Sequence, residues 1–167
     1  MNVWRWAFAA LLLLATVQSS HYFLAVKKAG IAAWLNFNAC ALANITFLAG
    51  FAVWLIFGSR WLMAMAVLPM FFFGTGGLFV FPWSGWNIIP QAGHLLMTAN
   101  LGLLILDIFR SQDFRPAVAG LLLGIGVFSI FIGFQQNYVR EHVREFREMM
   151  SPPVSVRGRG AGTEGLR

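Results

Sequence analysis

The sequence predicts an all-α integral membrane protein: a bundle of five transmembrane helices, then a short amphipathic helix and a flexible basic tail. Three observations carry this. Five apolar stretches each reach the roughly 20 residues needed to cross about 30 Å of hydrocarbon at about 1.5 Å per residue. Of the 167 residues, 59% are hydrophobic and 11% charged, with a mean hydropathy of +0.71; soluble domains carry about 25% charged residues. The charges are also segregated, with 8 in residues 1–139 and 10 in residues 140–167. Too few charges remain in the first part to cover the surface of a water-soluble globule. A cytosolic enzyme, a disulfide-built secreted domain and a disordered chain are therefore excluded.

The first span covers about residues 6–26, from Trp6 to Val26, and stops at Lys27-Lys28. Arg5 followed by an apolar run resembles a signal peptide, but the apolar character continues past Ser19 and Ser20 without a cleavage-like sequence, so a retained span is expected. The second covers 31–58 and ends at Ser59-Arg60. It is longer than a bilayer requires, so a tilt is expected. The third covers 61–81 and contains Pro69, a kink signal. The fourth covers 88–109, with Pro90 in its first turn, where a missing N–H is harmless. The fifth covers 116–137. Its Gly120 and Gly124 form a small-xxx-small pair expected to pack closely against another helix.

Beyond the spans, residues 138–150 place Val139, Val143, Phe146 and Met150 on one helical face. An amphipathic helix is expected there, either continuing into water or lying on the membrane. Residues 151–167 combine Pro, Gly, Ser and Arg with little to bury, which predicts a flexible basic tail. The net charge is +6, yet the basic residues of the bundle stand singly at the ends of apolar runs. They read as topology signals rather than as a nucleic-acid surface. The Lys/Arg distribution favours an outside N-terminus and a cytoplasmic C-terminus.

Polar residues inside the spans carry the functional information. Span one holds Gln18 and His21. Span two holds Asn36, Asn38, Cys40 and Asn44, with Asn36, Cys40 and Asn44 on one stripe. Span four holds Gln91, His94 and Thr98, again on one stripe. Spans one and four run antiparallel in a five-crossing bundle. His21, near the end of one, and His94, near the start of the other, are then expected in the same leaflet, roughly 9 and 12 Å deep. The uncharged loop with Trp83 and Trp86 belongs to that side and suits the headgroup level. The opposite half of the bundle reads as mainly apolar, with Asp107 near the boundary and able to pair with Arg110 at i,i+3.

Two imidazoles at one depth are candidate axial ligands of a haem b iron. The same set (His21, His94, Gln18, Asn36, Asn38, Gln91, Trp83, Trp86) could instead hold a quinone through its donors, and a lone His suits chlorophyll magnesium. Helix-to-helix hydrogen bonding is the plainer role for the same residues. One cysteine and two span histidines leave a zinc or copper site short of ligands. No nucleophile with an adjacent base and no phosphate loop is visible. The expected function is a small multi-pass subunit of a larger membrane complex, of the electron-transfer kind, more readily non-catalytic than an enzyme. Its partners would be the lipid bilayer and other membrane subunits, not nucleic acid. The alternatives are a small-solute transporter or channel, and a structural or assembly protein without ligand.

Overall fold

The computed structural model describes residues 3–80, 82–112 and 114–151. Helices dominate, and no strand occurs among the described residues. Helix α1, Val3–His21, is prolonged by a π-helical turn, Tyr22–Val26. Then come α2, Ile31–Phe37, and α3, Ala39–Phe57. Three short helices follow: α4, Trp61–Met65; α5, Val67–Pro69; and, after a second π-helical turn over Met70–Thr75, α6, Gly77–Val80. Helices α7, Ile88–Ser111, α8, Phe114–Glu141, and α9, Val143–Met150, complete the chain. Of the tail expected over 151–167, all but Ser151 lies outside the described residues, as does Phe81 at the end of the third expected span.

Four stretches are long and apolar enough to cross a membrane: Val3–Val26, Ala39–Phe57, Ile88–Ser111 and Phe114–Glu141. The stretch expected as a single span over 61–81 is instead interrupted. Pro69 has no N–H to offer the Met65 carbonyl, and its ring crowds that carbonyl. The chain tightens just before it, with the Ala66 N–H donating to the Met63 carbonyl at 3.0 Å. Below Pro69 the backbone widens, and the Gly76 N–H reaches the Phe71 carbonyl, five residues back, at 2.9 Å. Gly74, Gly76 and Gly77 weaken the helix locally. The second expected span is likewise two helices, broken at Asn38 (φ −115°, ψ 46°), whose side chain leaves the helix to donate to Ser19 Oγ at 3.2 Å.

The helices alternate in direction along the bundle. At one end Arg5, Arg60 and Asp107 meet. At the other, Ser19 meets Asn38, Gln91 meets Leu78, and Gln135 meets Asn36. The core between them is built from Leu12 of α1, Ala43 and Phe47 of α3, Met63 of α4, Ala66, Met70, and Met97 and Leu104 of α7.

Close backbone approach fixes α4 in the middle. A Cβ on Gly50 of α3 would meet the backbone of Leu62 and Met63. One on Gly120 or Gly124 of α8 would overlap the Trp61 or Met65 carbonyl. The short helix is thus clasped on both sides by glycine grooves, with the carbonyl freed by Pro69 laid against Gly124.

Helix α8 runs on to Glu141, and the backbone turns at His142 (φ −113°, ψ 34°). Helix α9 then folds back onto the end of the bundle. Phe146, Met149 and Met150 pack on a small second core of Phe23, Ala29, Ala33 and Phe37. The Lys27 ammonium donates to the carbonyls of Glu148 (3.1 Å) and Ser151 (2.9 Å). A cation at the negative end of a helix is favourable.

Candidate functional site

Two polar clusters occupy opposite ends of the bundle. The first is organised by the stripe Gln91–His94–Thr98 on α7. Gln91 and His94 are buried. The Oε1 atom of Gln91 can only accept, so the Nδ1–H of His94 donates to it at 3.1 Å. The amide of Gln91 donates in turn to the Leu78 carbonyl at 3.4 Å, and Trp83 Nε1–H donates to that same carbonyl at 3.1 Å. Leu78 lies in the last turn of α6, where carbonyls have no partner within the helix, so Gln91 and Trp83 satisfy a group that the helix end leaves open.

With its proton on Nδ1, His94 keeps a lone pair on Nε2, and this faces the Cys40 thiol of α3 at 3.8 Å. The ring lies flat on Gly77, where a Cβ would come within 2.7–2.9 Å of three ring atoms. The Thr98 hydroxyl donates to the His94 carbonyl at 2.9 Å, which leaves the Thr75 hydroxyl to donate to Thr98 at 3.2 Å. One imidazole and its neighbours therefore join α3, α6 and α7. A cysteine beside a histidine is also the pairing of thiol nucleophiles, but here the ring is enclosed and the sulfur distance is long.

The other residues singled out from the sequence do not gather around His94. Asn38 donates to Ser19 at the α2–α3 break. Asn36 donates to its own helix at Ala32 (2.8 Å), and its carbonyl accepts from Gln135 at 2.9 Å. Gln18 and His21 are exposed. At about 100° per residue, His21 stands about 140° around α1 from the buried Thr16, so its ring points away from the bundle interior. Axial ligation of one haem iron needs two imidazoles facing each other across one plane; the exposed ring of His21 and the enclosed ring of His94 do not form that pair. The side chain of Trp86 lies outside the described residues; its backbone belongs to the 3₁₀ turn Gly85–Asn87.

The second cluster corrects the reading of the opposite half as mainly apolar. Asp107 is buried and pairs not with Arg110 but with Arg5 of α1 and with Arg60, whose Nε lies 2.6 Å from its Oδ2. Both guanidiniums also lie over the Trp54 ring of α3, at 5.5 and 5.7 Å from its centre. Side-chain exposures of 22% for Arg5, 14% for Arg60 and 11% for Asp107 place the charges away from bulk water, so each depends on the others. The sequence carried one signal for this: Asp107 extends the buried stripe Met97–Leu101–Leu104 by a further step of three.

Between the clusters, Asn100 donates to the carbonyls of Leu96 (2.9 Å) and of Phe8 on α1 (3.3 Å). The buried Oδ1 of Asn44 accepts no hydrogen bond among the described residues. No group of three or more His, Cys, Asp or Glu is placed to hold a metal ion among them either. No family model, curated protein or solved structure matches this chain.

Proposed function

We propose that the chain crosses the membrane five times and acts as a non-catalytic subunit of a larger membrane complex. In this reading the interrupted segment 61–80 is the fifth crossing. Its support is the company it keeps. Along α7 it extends from Arg60 beside Asp107 to Gly77 beside His94. Along α8 it extends from Trp61 at Gly120 to Phe73 at Phe131. A broken span is tolerated in lipid where protein encloses its open backbone groups.

The subunit role rests on Gln18 and His21. Both are exposed on α1, about 13 and 9 Å along the helix from Lys27. Lipid tails offer an amide or an imidazole no hydrogen bond, whereas a neighbouring transmembrane helix does. His94 and Gln91 serve as fasteners between helices rather than as ligands of haem b or quinone. The Lys27-Lys28 end and the basic tail face the cytoplasm.

Extraction in mild detergent followed by native mass measurement tests the role. The wild-type chain is expected in an assembly heavier than its own 18.6 kDa. The double substitution Gln18→Leu, His21→Leu should release it as a monomer of unchanged helicity. A monomeric wild type, or an assembly that survives the double substitution, overturns the reading.

A further inference from the structure

A lateral cleft of about 190 Å³ opens beside the ionic cluster, between α1 and α7, with Trp4 at its edge. That is less than a whole small-molecule site, roughly 300–1,000 Å³, and suits one headgroup or the first carbons of one chain. Its apolar walls are Phe8, Leu103 and Leu106, and its polar mouth is formed by Arg5, Asp107 and Arg110. Two cations thus face one anion. The carboxylate of Asp107 is already engaged by Arg5 and Arg60. Arg110, in the last turn of α7, is exposed and forms no ion pair among the described residues. Arg5 bonds Asp107 through one of its nitrogens, and a guanidinium has five N–H donors in all.

The depth of the cleft is marked by tryptophan. Trp4, Trp6 and Trp61, all at this end of the bundle, are 71%, 46% and 39% exposed. Exposed tryptophan settles at the headgroup level. The mouth therefore lies where headgroups lie, and the apolar walls continue into the depth of the acyl chains. In the leaflet opposite the Lys27 end, guanidiniums at that depth can bind the phosphate of an anionic headgroup through charge-assisted hydrogen bonds.

We propose that this cleft is a binding site for an anionic phospholipid. The phosphate is held by Arg5 and Arg110, and the first carbons of one acyl chain lie along Phe8, Leu103 and Leu106. A zwitterionic lipid is disfavoured because its ammonium would approach Arg110 with no free carboxylate among the described residues to receive it. A soluble phosphate would leave the apolar walls uncovered.

The test is native mass spectrometry of the full chain after exchange into equal amounts of phosphatidylglycerol and phosphatidylcholine. Phosphatidylglycerol should be retained preferentially. Arg110→Gln should lower its retention about fivefold, the factor carried by one basic side chain near an anionic surface. Arg115→Gln, at the same end but outside the cleft, should leave it unchanged. Leu106→Trp, which fills the apolar wall from an exposed position, should abolish retention with helicity intact. Equal retention of the two lipids, equal loss in the Arg110 and Arg115 variants, or displacement of the lipid by inorganic phosphate alone would each overturn the proposal.

Discussion

Asp107 holds one negative charge between guanidiniums contributed from positions 102 and 47 residues away. Removing one member of a buried ionic group leaves the remaining charges uncompensated, at a cost of about 3–5 kcal/mol. Asp107→Asn keeps the shape and loses the charge, so it should fall toward the lower end, about 3 kcal/mol. Unfolding of the purified protein in a mixed-micelle denaturant titration measures this; a loss below about 0.5 kcal/mol would show the pairings to be idle, as exposed ones often are. The sequence pairs Asp107 with Arg110 because i,i+3 spacing is all that a single helix encodes. Its real partners are brought by the crossing of α1 and by the turn after α3, and no local pattern records them. The α7 stripe of Gln91, His94 and Thr98 is legible because all three share one helix. The thiol of Cys40 and the carbonyl of Leu78 come to it only through packing.

Among the helices, the clasp around α4 separates two kinds of glycine on α8. Gly120 and Gly124 lie against the backbone carbonyls of Trp61 and Met65, whereas a Cβ on Gly126 or Gly133 would meet no other part of the described residues within 4 Å. Gly120→Ala should destabilise by about 1–3 kcal/mol, since the obstructing atoms are backbone rather than a movable side chain. Gly126→Ala should stabilise by about 0.5–1 kcal/mol through helix propensity alone. The same denaturant titration reads both, and effects of equal sign would dismiss the clasp. The 120–124 spacing shows in the sequence, as does Pro69, because each acts on the backbone it occupies. The break at Asn38 carries no such mark. Asn is only mildly disfavoured within a helix, and the conformation at this position accompanies a hydrogen bond to Ser19, on another helix.

For the whole molecule, alternating helix directions make parity the decisive measurement. With five crossings the two termini lie on opposite sides of the membrane; with four they share one. Reporter fusions at the N-terminus and after Ser151 should therefore give opposite signals, and matching signals would remove segment 61–80 from the crossings. Hydropathy alone makes the membrane character and the approximate limits of most segments legible, since lipid imposes length and apolarity on each span separately. The count is harder to read. An interrupted span satisfies its backbone through neighbours, and composition over 61–81 does not reveal which neighbours those are.

The two hydrogen bonds from Lys27 join positions 121 and 124 residues apart. A nascent polypeptide therefore carries the turn at Lys27 unsealed until Glu148 and Ser151 have been made. A copy truncated before Phe146 would keep Tyr138 on Phe37 but lose the rest of the cover that α9 lays over Phe23 and Phe37, leaving part of both rings open at the bilayer surface.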